Sequence, residues 1–94
     1  MLDIRFGEDG EIVLSGRFDA SQQRKAEEFL ETVMDARVVD LKGLEYVSSA
    51  GLGVLLATQK RLMGSGVGLK LVNASKHIQD ILRYSGFDRI FEIE

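Results

Sequence analysis

Cysteine, proline and tryptophan are absent from the 94 residues, and histidine occurs once, as His77. The lack of cysteine excludes disulfides, thiol nucleophiles and thiolate metal sites. A single histidine cannot form a histidine cluster, and any Ser-His-Asp arrangement would have to use it. We interpret His77 as a surface or boundary residue. We therefore predict no catalytic residue, no metal site and no cofactor.

Long apolar runs and basic runs are also missing. The longest near-apolar stretch, Ala50–Ala57, is far too short to span a bilayer. With 12 basic and 15 acidic residues the net charge is −3, which does not favour binding to nucleic acid. The first residues carry no basic region or apolar core of a signal peptide. We expect one cytoplasmic domain over residues 1–94, with neither nucleic acid nor membrane as a partner.

Alternation of polar and apolar residues opens the chain. It covers residues 2–6 and resumes over 12–14, with the turn-forming pair Asp9-Gly10 between them. The first sixteen residues are therefore predicted to form an antiparallel hairpin. Short apolar strands are predicted at 38–41 and 67–71, and residues 43–51 are predicted to be a connection.

Three amphipathic helices are predicted among these strands. Asp19 with Gln22 has the pattern of a capping box, Ser75 is placed to cap the third helix, and Gly86 to end it. Each helix has one apolar stripe, and the three stripes are Ala26, Phe29, Leu30, Val33 and Met34; Leu52, Leu55, Leu56, Gln59 and Leu62; and Ile78, Ile81 and Leu82. The charged residues on the other side of the first helix are interpreted as a solvated face; they are Arg24, Lys25, Glu27, Glu28 and Glu31.

The order of these elements predicts an α/β domain. Strands that alternate with helices favour parallel pairing through right-handed crossovers, whereas the opening hairpin is antiparallel. A mixed β-sheet follows. An apolar tail should return to the core at Phe87, Ile90 and Phe91, with Ile93 at a last strand position.

A glycine-rich stretch over residues 64–70 has the look of a phosphate-binding loop. Leu69 precedes Lys70 where that motif requires glycine, and the stretch leaves a helix to enter a strand, the reverse of the required order. We interpret Gly64 and Gly66 as the end of the second helix.

The segment with the strongest functional signal is residues 38–55, in which two serines precede a helix that contains two early glycines. A serine before a helix is a good N-cap, so Ser48 or Ser49 could serve the helix alone. Gly51 and Gly53 each cost a helix about 1 kcal/mol relative to alanine. They expose backbone to close approach by another molecule. Capping and a partner or modification site are both open at this point.

This segment resembles the signature of the STAS domain in bacterial anti-sigma factor antagonists. That signature has a hydrophobic strand, an Asp-Leu pair and a serine-containing helix start. Here the pair is Asp40-Leu41 and the helix start is Ser48-Ser49-Ala50-Gly51-Leu52-Gly53. Residues 16–19 are similar to the family's turn before its first helix, and residues 71–91 to its C-terminal pattern. The resemblance covers essentially the whole chain.

The resemblance implies a STAS fold, with the helices mainly on one face of the sheet, and a regulatory protein that is not an enzyme. The unphosphorylated form would bind an anti-sigma factor that is also a GHKL-type serine kinase, freeing the sigma factor. Phosphorylation of Ser49 would end binding, and a serine phosphatase would reset the protein. Ser48 stands where the family often has aspartate, which makes it the alternative phosphorylation position.

The partner surface that the resemblance implies is the start of the second helix. Val54 and Ala57 lie off its apolar stripe, so we expect part of that face to be exposed. The full predicted set is Ser48, Ser49, Ala50, Gly51, Gly53, Val54 and Ala57. The alternatives are an unphosphorylated STAS scaffold or accessory subunit of a transporter or sensory complex and, more remotely, a small nucleotide-binding protein.

Overall fold

The computed structural model describes residues 1–94 as five strands, three α-helices and two short 3-10 helices. The 3-10 helices are Ala20–Gln22 and Phe87–Arg89. The strands are β1 (Leu2–Phe6), β2 (Ile12–Phe18), β3 (Arg37–Val47), β4 (Leu69–Val72) and β5 (Glu92–Ile93). The helices are α1 (Gln23–Leu30), α2 (Ser49–Met63) and α3 (Lys76–Tyr84).

The strands form one mixed sheet in the order β1-β2-β3-β4-β5. The β1–β2 hairpin is antiparallel, and every later pair is parallel. Successive parallel crossovers of the same hand that always step in one direction put their helices on one face. The predicted hairpin, mixed sheet and one-sided helix layer are confirmed.

The core lies between that helix layer and the sheet. Twenty-one buried apolar residues form a single cluster. Along β1, Leu2 and Ile4 are buried while Asp3 and Arg5, which follow each of them, are exposed, which is the alternation of a sheet with one covered face. No helix is both long and apolar enough to cross a bilayer.

Strand β3 is longer than predicted, because residues 43–47 continue it instead of forming a connection. The pairing with β2 shifts twice, between Val13 and Ser15 and between Gly16 and Arg17. At each shift β3 advances by one residue more than β2. Its buried residues Leu41, Leu44 and Val47 therefore fall three apart, a spacing that does not have the period of two expected of a strand.

The start of α1 differs from the predicted capping box. Asp19 does cap, since its carboxylate accepts from the backbone N–H of Ser21, at the start of the 3-10 helix. Gln22 does not reach back to Asp19. Its Oε1 accepts from the backbone N–H of Leu2 at 3.2 Å and ties the helix to the edge strand. The helix ends at Leu30, and Met34, predicted in its apolar stripe, is 71% exposed.

The ends of α2 and α3 are as predicted. Gly66 has φ of +80°, and the N–H of Val67 donates to the carbonyl of Leu62, which closes the last turn of α2. Gly86, with φ of +76°, follows α3. Ser75 Oγ accepts from the N–H of Ile78 at 3.3 Å.

Gln59, a buried residue of α2, links this helix to β4 and to the C-terminal tail through its side-chain amide. Its side-chain oxygen accepts from the N–H of Leu69 at 2.7 Å, and its amide nitrogen donates to the carbonyl of Ile90 at 2.9 Å. Phe87 and Phe91 of the returning tail are buried, whereas Ile90 is 37% exposed. The tail therefore packs on the core through Phe87 and Phe91, and Ile90 contributes its backbone carbonyl instead of its side chain.

Candidate docking and modification site

Ser48 links the end of β3 to the start of α2. Its N–H donates to the carbonyl of Phe18 at 2.8 Å, and its backbone is extended. Its Oγ accepts from the N–H of Gly51 at 3.2 Å, the bond expected of an N-cap. The hydroxyl of Ser48 is therefore engaged in starting the helix.

Ser49 is the first residue of α2, and it is exposed. Of the two adjacent serines, one caps the helix and the other faces solvent. The first backbone N–H groups of a helix and its dipole favour an anion at this end. The structure thus assigns the capping role to Ser48 and leaves the hydroxyl of Ser49 exposed.

The two early glycines also have different surroundings. A Cβ on Gly51 would lie 2.9 Å from Val47 Cγ2 and 3.0 Å from both Phe18 Cγ and the Phe18 carbonyl oxygen. Gly51 is buried and is required for α2 to pack closely on the sheet. A Cβ on Gly53 would meet nothing within 4 Å. Packing inside the chain therefore does not explain the glycine at 53.

Ser49, Gly53 and Ala57 follow one another at four-residue spacing, and all three are exposed. We call these three residues the docking strip. Val54 does not belong to it, because the structure buries its side chain to 5% exposure. The prediction that Val54 is exposed is wrong, since α2 packs against α1 as well as the sheet and so buries a wider arc than one stripe. Ala50 is half-buried.

Charged residues lie at the end of β2, on either side of Phe18, which packs against the start of α2. Arg17 lies over the ring of Tyr46, with 4.5 Å between the guanidinium carbon and the ring centroid. Asp19 follows Phe18, and the hydroxyl of Ser21 donates to its carboxylate and lowers the pKa of Asp19 below its ordinary value. A cation in β2 and an anion in the following turn therefore lie on either side of Phe18, whose carbonyl accepts from the N–H of Ser48.

A groove of about 220 Å³ runs beside the strip, between α1 and α2. Its lining residues are Glu27, Glu31, Val54, Ala57, Thr58 and Arg61. Sequence reasoning assigned the two glutamates to a solvated face and did not connect them with α2. No local sequence pattern links these glutamates to α2, because only the packing of α1 on α2 brings them into the same groove as Ala57.

The largest cavity, of about 490 Å³, lies away from the strip on the uncovered face of the sheet. It is mostly polar, with Asp9, Glu11, Asp35 and Arg37 among its lining residues. No three side chains of His, Cys, Asp or Glu are grouped to hold a metal ion. His77 is exposed, as predicted.

Comparison with known proteins places this geometry in a family. The family model described as "Mlab, STAS domain" matches residues 4–92. A STAS-domain containing protein of Pseudomonas aeruginosa is 34% identical over 90 residues, which are 93% of this chain and 89% of that protein. The putative anti-sigma factor antagonist BtrV of Bordetella bronchiseptica is 39% identical over 56 residues, 60% of this chain and 48% of BtrV.

Solved structures share the fold. An anti-sigma factor antagonist from Mycobacterium paratuberculosis superposes with a TM-score of 0.79 at 26% identity, over 99% of this chain and 83% of that one. The phosphorylated form of the Bacillus protein SpoIIAA superposes with a TM-score of 0.71 at 15% identity, over 100% of this chain and 91% of that one. With the family model and these likenesses together, the chain belongs to the STAS-domain family, and its fold is that of the anti-sigma factor antagonists.

Proposed function

We propose that this chain is an anti-sigma factor antagonist whose binding is switched at Ser49. The unphosphorylated form binds an anti-sigma factor that is also a GHKL-type serine kinase, and so frees a sigma factor. Phosphorylation of Ser49 ends the complex, and a serine phosphatase restores it. One observation carries the proposal: Ser49 is exposed at the start of α2 while its neighbour Ser48 supplies the cap.

The fold can accept a phosphate on Ser49. A phosphoserine adds a charge of about −1.5 to −2 at neutral pH. The free N–H groups and the dipole at the start of α2 favour that charge. The core does not have to open, because Ser49 is on the outside and the cap bond is made by Ser48. The switch therefore acts on the surface and not on folding.

The docking strip explains why the phosphate would break a complex. Ser49, Gly53 and Ala57 have small side chains, so a partner can come close to the backbone of α2. A partner packed there would have to accommodate a bulky, hydrated dianion. Desolvation of that charge and its repulsion from acidic groups cost several kcal/mol at an interface, as an order of magnitude. SpoIIAA, which shares the fold, has been solved in both phosphorylated and unphosphorylated forms.

The test is to incubate the purified chain with ATP, Mg²⁺ and each GHKL-type anti-sigma factor of its own genome, and to map phosphate by mass spectrometry. Ser49→Ala removes the proposed acceptor. Ser48→Asp removes the neighbouring hydroxyl but keeps a capping side chain. We expect one phosphate on wild type and on Ser48→Asp, and none on Ser49→Ala. Phosphate on Ser48, or none with any anti-sigma factor that binds the chain, would overturn the proposal.

A second candidate is a STAS subunit that binds its partner permanently, without phosphorylation. It is favoured by the docking strip, which is already exposed in the unmodified chain and needs no phosphate to form. Ser49→Asp discriminates between the two candidates. A complex with a transporter or sensory protein that forms equally well with wild type and Ser49→Asp would favour this candidate over the switch.

A further inference from the structure

The α1–α2 groove has an acidic wall with no partner inside the chain. Glu27 and Glu31 line it. Neither belongs to any of the six ion pairs of the structure, which join Asp3, Asp35, Asp80, Glu92 and Glu94 to basic residues. Both glutamates are exposed, so the carboxylates are available to another molecule.

This placement is unfavourable for α1 itself. Glu27 lies in the last turn and Glu31 is the C-cap, where the helix dipole favours cations. The two residues are also four apart, a spacing at which like charges repel on a helix surface. The stability of α1 therefore does not explain why carboxylates stand there.

The opposite wall of the groove is fixed. Arg61 of α2 donates from Nη2 to the carbonyl of Leu30 at 2.9 Å, and its other terminal nitrogen contacts Met34 Sδ at 3.7 Å. Its guanidinium thus satisfies the end of α1 instead of pairing with either glutamate. Thr58 is satisfied too, because its hydroxyl donates to the carbonyl of Val54 at 2.9 Å. The two apolar residues that line the groove are Val54 and Ala57, and we call this pair its floor.

We propose that this groove receives a segment of the anti-sigma factor in which an apolar side chain lies next to a lysine or arginine. The apolar side chain packs on Val54 and Ala57, and the cation pairs with Glu27 and Glu31. Two observations select this occupant: the unpaired acidic wall, and Ala57, which belongs to both the groove and the docking strip. Opposite charges across an interface mainly raise the association rate and the specificity. The inference rests on the proposed function and adds the chemistry of the partner's contact segment.

The test measures affinity and association rate for the anti-sigma factor that binds wild type, at 50 mM and 300 mM NaCl. Glu27→Lys and Glu31→Lys reverse the wall, and Glu28→Lys makes the same charge change on α1 at a residue that does not line the groove. We expect each wall variant to bind at least about tenfold more weakly at 50 mM salt, mainly through slower association. Glu28→Lys should change affinity less than about threefold. The difference should shrink at 300 mM, because salt screens exposed charges.

A further variant tests the floor. Ala57→Leu adds an exposed side chain where the apolar residue of the partner should sit, and we expect it to weaken binding equally at both salt concentrations. Thermal unfolding of each variant checks that it is folded. Wall variants that bind like Glu28→Lys would overturn the groove inference while Ser49→Asp still tests the switch on the same partner. Failure of wild type to bind any anti-sigma factor would overturn both.

Discussion

Helices α2 and α3 start in the same way, and only one of the two starts has the features of a docking site. Each has a serine N-cap in extended conformation, whose Oγ accepts from the third helical N–H, at 3.2 Å from Ser48 and 3.3 Å from Ser75. In α3 the next residues are Lys76 and His77, and Lys76 Nζ lies 3.6 Å from an Asp80 carboxylate oxygen, in a pair that supports the helix. In α2 the next residue is an exposed serine.

The difference shows that a serine cap is not evidence of a functional site. Two residues after the cap distinguish α2. The hydroxyl of Ser49 is exposed and does not cap the helix, and a Cβ at Gly53 would contact nothing within 4 Å. Such a start gives up helix stability and presents small side chains outward. The start of α3 has neither feature, because Lys76 pairs with Asp80 and no residue of α3 is a glycine.

The largest expected effect is on the free energy of unfolding, which should change in opposite directions when each of the two glycines of α2 is replaced by alanine. Gly51→Ala places a methyl group against Val47 and Phe18, and we expect it to lower the free energy of unfolding by about 1–3 kcal/mol. Gly53→Ala has open space and should raise it by up to about 1 kcal/mol. Urea denaturation of both variants measures this. Equal effects in the same direction would show that the two glycines have the same role.

The next effect compares the caps. Ser48→Ala and Ser75→Ala each remove one side-chain bond to a backbone N–H. We expect each to cost about 1 kcal/mol, within a range of about 0.5–2 kcal/mol. Thermal or urea unfolding of the two variants checks it. A cost for Ser75→Ala alone would mean that Ser48 does not cap α2.

Ser49→Ala should have a much smaller effect. An exposed side chain away from caps and core usually changes stability by no more than about 0.5 kcal/mol. Measured beside Ser48→Ala in the same urea series, it should leave the unfolding midpoint almost unchanged. A loss as large as that of the cap variant would give Ser49 a structural role and weaken the argument for a switch.

The smallest effect concerns Asp19, which follows Phe18, the residue whose carbonyl accepts from the N–H of the α2 cap. Because its pKa is lowered in the folded state, its contribution to stability is present above the ordinary aspartate pKa and is lost as the pH falls through the lowered value. Ser21→Ala removes the main hydrogen-bond donor. We expect an NMR titration of the Asp19 carboxyl to show its pKa rising toward the ordinary value in that variant, and no rise would contradict the assigned cause.

Much of the fold follows from periodicity alone, and its exceptions have physical causes. The hairpin, three helices, their glycine ends and the caps at Asp19 and Ser75 follow from local patterns. The length of β3 does not, because two shifts of register against β2 break the alternation of its buried residues. Met34 was misplaced because α1 ends at Leu30, before the stripe is complete.

The sequence predicts which segment holds the candidate site, but it does not predict the separate role of each residue in that segment. The motif locates the start of α2, yet only the three-dimensional contacts show that Ser48 caps, that Gly51 packs and that Gly53 is free. Val54 was expected outside and lies inside, because the packing of α1 on α2 is a tertiary contact with no local signal. For the same reason the sequence alone gives no indication that Glu27 and Glu31 differ from other charged residues on the surface.

The most direct test of the switch is to place phosphoserine at position 49 and to measure two quantities on that protein. These are its affinity for the anti-sigma factor that binds the unmodified chain, and its thermal midpoint. We predict affinity at least about tenfold lower, equivalent to about 1.4 kcal/mol, with a midpoint that is unchanged or higher. Equal affinity for the two forms, or binding lost only because the domain unfolds, would contradict it.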